Sequence, residues 1–77
     1  MPDYPGDWLD ALEMLARSQE GSTEVLMLAQ GFAASTIAGL VDTGLVTSTT
    51  ERVSADGRTL EVIRLRITGR GRAALER

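Results

Sequence analysis

Residues 46–67 read VTSTTERVSADGRTLEVIRLRI, two runs of β-forming residues on either side of Asp56-Gly57. Asp-Gly between such runs marks a two-residue hairpin loop, because both loop positions need a positive φ that aspartate tolerates and glycine adopts freely. With those residues as the loop, Ala55 faces Arg58 and the register follows. Val46 opposes Ile67, Ser48 opposes Leu65, and Thr50 opposes Ile63. These pairs share one face, which the reading assigns to the core. The other face carries Arg64 and Arg66, with Thr47 and Thr49 opposite them. Arg52 and Glu61 also fall opposite each other, as an exposed ion pair contributing about a few tenths of a kcal/mol.

Upstream of the hairpin the period changes from two to that of a helix. Ile37, Leu40 and Val41 form the inner stripe of a helix over 34–43, with Gly44 just past its end. A second helix over 23–30 carries Val25, Leu26, Leu28 and Ala29, capped by Ser22 or Thr23. Gly31-Phe32 separates the two, with Phe32 expected as a buried plug at the corner. The first helix is expected over 7–19, opened by Asp7 as an acidic N-cap and ended near Gly21. Trp8, Leu12 and Leu15 recur at helical spacing in it, which makes the tryptophan a core residue before a ligand platform. Downstream, Thr68 caps a short closing helix over 69–77 that turns Ala73, Ala74 and Leu75 inward.

The composition bounds what such a chain can do. Seventy-seven residues and 8.3 kDa allow one small domain and no sizeable active-site cleft. No apolar run reaches the roughly 18 residues of a membrane helix. The first residues, Met1 to Pro5, lack the basic start of a secretion signal, so a cytoplasmic location is expected. There is no cysteine and no histidine, which removes thiolate and imidazole chemistry and the usual zinc sites. No nucleophile–base pair is visible either. The chain is not expected to be an enzyme or to carry a cofactor or metal.

Charge is divided unevenly. Residues 1–46 hold seven carboxylates and one arginine, a net −6, whereas residues 47–77 hold seven arginines and four carboxylates, a net +3. All eight bases are arginine. The guanidinium is planar, always charged and bidentate, which suits phosphate, although codon usage in a GC-rich genome explains the bias equally well.

The element order is α+β: three helices, a two-stranded hairpin and a short C-terminal helix in a single domain over 1–77. Two helices joined by a glycine turn over about 23–43, a wing over about 46–67 and a closing helix over about 69–77 make a small winged helix-turn-helix. Three stretches resemble MarR-type bacterial regulators. Leu40-Val41-x-x-Gly44-Leu45-Val46 looks like the end of that family's recognition helix. Asp56-Gly57-Arg58 sits where the family has its Asp-Arg wing, and residues 65–72 resemble its Leu-Thr-x-x-Gly-Arg segment. The likeness covers about residues 23–76. Full-length members have extra terminal helices for dimerisation and effector binding, and the resemblance here lacks them. Leu26-Met27-Leu28-Ala29-x-Gly31-Phe32 ahead of the same wing is also similar to short uncharacterised proteobacterial winged-helix proteins.

The resemblance implies a transcriptional regulator or accessory factor bound to double-stranded DNA, as a homodimer or beside a protein partner. The third helix would enter the major groove, exposing Ala34, Ser35, Thr36, Gly39 and Thr43. Ser35 and Thr36 can bond to bases or phosphates, and Ala34 can touch a thymine methyl. Arg58 would reach a minor groove from the wing tip, Arg52, Arg64 and Arg66 would meet phosphates, and Arg70 would add a cation at the start of the last helix. Against this, the third helix has no arginine, lysine, asparagine or glutamine, and its Asp42 repels phosphate. The alternative is an oligomerisation module or a protein–protein adaptor without DNA binding, the adaptor's acidic helical half meeting a basic partner and the arginines solvating the open face of the hairpin. An exposed apolar patch at Tyr4, Trp8 and Leu9 would favour that alternative.

Overall fold

The computed structural model describes residues 4–76. Along them run α1 (Gly6–Ala16), β1 (Ser22–Thr23), α2 (Glu24–Ala29), α3 (Ala34–Asp42), β2 (Val46–Ala55), β3 (Arg58–Ile67) and α4 (Gly69–Leu75). The strands form one antiparallel sheet in the order β1-β3-β2. The fold is α+β, with four helices and three strands among the described residues.

The hairpin has the register its loop dictates, from Val46 opposite Ile67 to Ala55 opposite Arg58. Asp56 and Gly57 sit at φ 51° and 74°, both in the left-handed region that a two-residue loop requires. The core assignment of the hairpin face holds only at its base. Val46 and Leu65 are buried and Ile67 is half-buried, but Ser48, Thr50 and Ile63 are exposed. Each strand runs ten residues, and the helices cover only the end nearest them. The Cα radius of gyration is 13.1 Å, above the about 11.5 Å of a compact chain of this length, because the hairpin projects as an arm.

The core is one cluster drawn from both halves of the chain: Ala11, Leu12 and Leu15 of α1, Met27 of α2, Ile37 and Leu40 of α3, and Leu45, Val46 and Leu65 at the hairpin base. Each such large aliphatic contributes about 1.5–3 kcal/mol relative to exposure. Tyr4, Trp8 and Leu9 pack against this cluster half-buried, and the Tyr4 and Trp8 rings stack with centroids 5.9 Å apart. They therefore form no open apolar patch. Phe32 is also half-buried against the core and not a fully enclosed plug.

The structure differs from the sequence reading in two places before α2. The first helix ends at Ala16, and Gly21 comes after a turn in which the Ser18 hydroxyl accepts from the Glu20 N–H at 3.2 Å. Ser22 and Thr23 then pair with Leu65 and Arg64 as a third strand. Residues 17–19, expected in the first helix, lie in that turn, and two residues carry no period by which to recognise a strand. At the other end of α1, Pro5 holds the cap position and Asp7 lies in the first turn, where its charge still complements the helix dipole.

Thr23 ends β1 and caps α2, its Oγ1 accepting from the Leu26 N–H at 3.2 Å. Thr68 caps α4 as expected: its Oγ1 accepts from the Gly71 N–H at 3.0 Å, while its proton reaches the Gly44 carbonyl at 2.7 Å. Gly71 is buried where a Cβ would collide with the Leu45 carbonyl and Ile67, so only glycine lets α4 settle this close to the hairpin base. α4 ends at Leu75, and Arg77, expected in that helix, lies outside the described residues.

Candidate functional site

α3 is set by what its inner face must satisfy. Thr36, Ile37 and Leu40 are buried, an arc of helical spacing turned to the core. Thr36 is 7% exposed, so it does not belong to an outward reading surface. Nor does Gly39, where an added Cβ would meet the Trp8 indole; the absence of a side chain lets α1 approach α3. Ala34, Ser35, Ala38 and Asp42 make the exposed arc, with Val41 half-buried beside it. The Thr43 hydroxyl is turned back on its own helix and donates to the Gly39 carbonyl at 2.9 Å.

Between this arc and the hairpin base lies an open cleft of about 270 Å³. Ile37 and Val41 form one wall, and Ile63 and Leu65 form the other. Two carboxylates also line it, Glu24 from the start of α2 and Asp42 from the end of α3, with no basic residue among the lining. A pocket for a drug-sized ligand is usually above about 300 Å³ and encloses most of it. This one is smaller and open to solvent.

The hairpin arginines are placed by the pleat. Arg64 and Arg66 project from the face opposite the cleft, as the register requires, and both reach Glu51 diagonally across the strand pair. Arg64 Nε donates to Glu51 Oε1 at 2.8 Å, and Arg66 Nη2 lies 3.5 Å from Glu51 Oε2. A second nitrogen of Arg64 donates to the Glu20 carbonyl at 3.4 Å, tying the hairpin to the turn before β1. The Arg64 hydrogen bond, reinforced by the charges of both guanidiniums, holds the Glu51 carboxyl below its ordinary range against the opposing effect of burial. Arg64 and Arg66 are thus clamped by a carboxylate that the sequence reading left out.

Among the remaining predicted contacts, Arg52 lies 3.7 Å from Glu61, both highly exposed, as the register required. Arg70 donates to the Thr43 carbonyl at 3.0 Å, which places its charge at the negative end of α3. Arg58 is exposed beside the loop, with no ion pair found among the described residues. Ala34 and Ser35 are on the surface of α3 as expected. The nine predicted contacts therefore divide between the α3 surface (Ala34, Ser35), the packed side of α3 (Thr36, Gly39), the outer arm (Arg52, Arg58), the Glu51 clamp (Arg64, Arg66) and the α3–α4 junction (Arg70), and do not form one continuous basic surface.

What the sequence reading missed is apolar. Five of the six α2 residues are hydrophobic, yet only Met27 is buried. Val25 is 71% exposed, with Leu26 and Leu28 also open. Val53 and Leu60 are exposed near the end of the arm, as is Ile63 in the cleft. Among the described residues, no group of three carboxylates is placed to hold a metal, and no helix is long and apolar enough to cross a membrane. Neither family models, curated proteins nor solved structures provide a match to the chain.

Proposed function

We propose that the chain is a winged helix-turn-helix module that works by binding protein, through the surface formed by α2, α3 and the base of the wing. The helix order, the short turn at Gly31 and the projecting hairpin support the winged-helix description. The observation that carries the function is the chemistry of the α3–wing cleft: aliphatic walls, Glu24 and Asp42 as its charged groups, and no cation. A helix that reads the major groove offers bidentate donors on its exposed arc and cations beside it. α3 offers Ala34, Ser35, Ala38 and Asp42. The exposed aliphatics of α2 point the same way, since a domain this small needs its large apolar residues for folding and spends three of them on solvent.

A second reading rests on Arg58, a cation at the end of an arm, which fits a minor groove or a phosphate. The two readings separate in one experiment. Labelled random duplex DNA is titrated with the protein and with Arg58→Ala at low and moderate salt, with anisotropy as the readout. Protein binding as the principal function predicts no saturable signal up to high micromolar protein. Saturable binding that weakens with salt and in Arg58→Ala would overturn it in favour of DNA. The salt dependence would then identify the contacts. Arg52 and Arg58 alone give a log–log slope of about −1.8, and a slope near −3.6 means that Arg64 and Arg66 have left Glu51 for phosphate.

A further inference from the structure

We infer that the α3–wing cleft takes a short amphipathic segment that is basic on its polar side, presented by a partner protein. The inference rests on the protein-binding reading and names the chemistry of the partner. The floor of the cleft selects for aliphatic side chains. Ala34 and Ala38 on the α3 side are small enough to let another backbone approach, and Ile63, 38% exposed, still has surface to bury. The rim selects for charge. Glu24 and Asp42 come from two different helices and both line the cleft, so cations on either side of an inserted aliphatic residue each have a carboxylate to meet.

The register keeps the hairpin's own cations away, and Arg70, bonded to the Thr43 carbonyl at the end of α3, does not line the cleft. Arg64 and Arg66 are on the opposite face of the hairpin, held by Glu51, and Arg52 on the cleft face is offset by Glu61. An incoming lysine or arginine therefore meets carboxylates without a facing guanidinium. An acidic segment or a nucleic acid meets the reverse. The exposed Val25 and Leu28, three residues apart on α2, extend the apolar surface beyond Glu24 for a segment longer than the cleft.

The test uses the isotopically labelled full chain and a probe of defined chemistry: an amphipathic leucine–lysine peptide of about four helical turns. A control peptide has glutamate in place of every lysine. Saturable amide shifts are expected at Ala38, Val41, Asp42, Ser48 and Ile63 with the lysine peptide, and none with the control. Glu24→Lys and Asp42→Lys should each weaken binding by about fivefold, the scale of an exposed ion pair, with the circular dichroism spectrum of the folded chain retained. The double variant should reverse the preference and take the glutamate peptide.

Equal binding of both peptides, shifts confined to another surface, or no shifts at millimolar peptide would each overturn the inference. Cleft amides that move with protein concentration in the absence of peptide would assign the cleft to a second copy and overturn it too. Failure of the peptide without DNA binding sinks this inference and leaves the protein-binding reading standing. Saturable, Arg58-dependent DNA binding sinks the reading beneath it.

Discussion

Glu51 is the residue on which the hairpin's charge arrangement turns. It is the one carboxylate on a face that would otherwise present two adjacent guanidiniums, and it bonds to both. Because Arg64 and Arg66 favour its ionised form, its folded-state pKa lies below the unfolded value. The resulting stabilisation is therefore fully present above the ordinary carboxylate value of 4.5, and is lost as pH falls through the lower folded-state value. Titration of the Glu51 carboxyl by NMR should give a midpoint below 4.5. Glu51→Gln should abolish that titration and flatten the acid limb of the stability profile. An unshifted midpoint would mean the clamp does not persist in solution.

At the level of elements, the hairpin is two structures in series. Its base is part of the core through Val46 and Leu65, whereas its outer half has solvent on both faces. An isolated two-stranded ribbon is marginal in water, so the outer half depends on its loop and on cross-strand pairs such as Arg52–Glu61 and Val53–Leu60. Gly57→Val places a β-branched residue at φ 74°, a strain of about 1–2 kcal/mol. Hydrogen exchange should then quicken at amides between Val53 and Leu60 while those of α1 stay protected, because the outer arm opens without disturbing the core. Equal acceleration in α1 would show that arm and body unfold as one unit.

At the level of the whole molecule, a single cluster joins helices and sheet, so it should unfold in one step. Leu65 belongs to that cluster from the central strand. Leu65→Ala should cost about 2–5 kcal/mol and lower the helical circular dichroism and Trp8 fluorescence transitions together. Val25→Ser, at a position 71% exposed, should stay within about 0.5 kcal/mol in denaturant titrations. A large loss at Val25 would mean that this surface is already buried against another molecule in solution, which sedimentation would show directly.

Local chemistry accounts for the elements that were legible in the chain. Asp56-Gly57 fixes a two-residue loop and hence every hairpin pairing, since side chains alternate with a period of two and one loop sets the register. Thr23 and Thr68 cap their helices through hydroxyls that serve amides three residues on, a contact encoded within a few residues. The strand at Ser22–Thr23 comes instead from pairing with residues some forty positions away, and no local period announces it. The same holds for the site. Spacing puts Ala34, Ser35, Arg52, Arg58 and Arg70 at the surface, where they are exposed, but the rotation of α3 that buries Thr36 and sets Gly39 against Trp8 is decided by how α1 packs. Glu51 became a clamp only through a diagonal contact, and the acid-rimmed cleft exists only where α2, α3 and β3 meet. Short-range hydrogen bonds and backbone preferences act within a few residues and can be read in order along the chain. Which face is left exposed depends on what the distant elements have already covered.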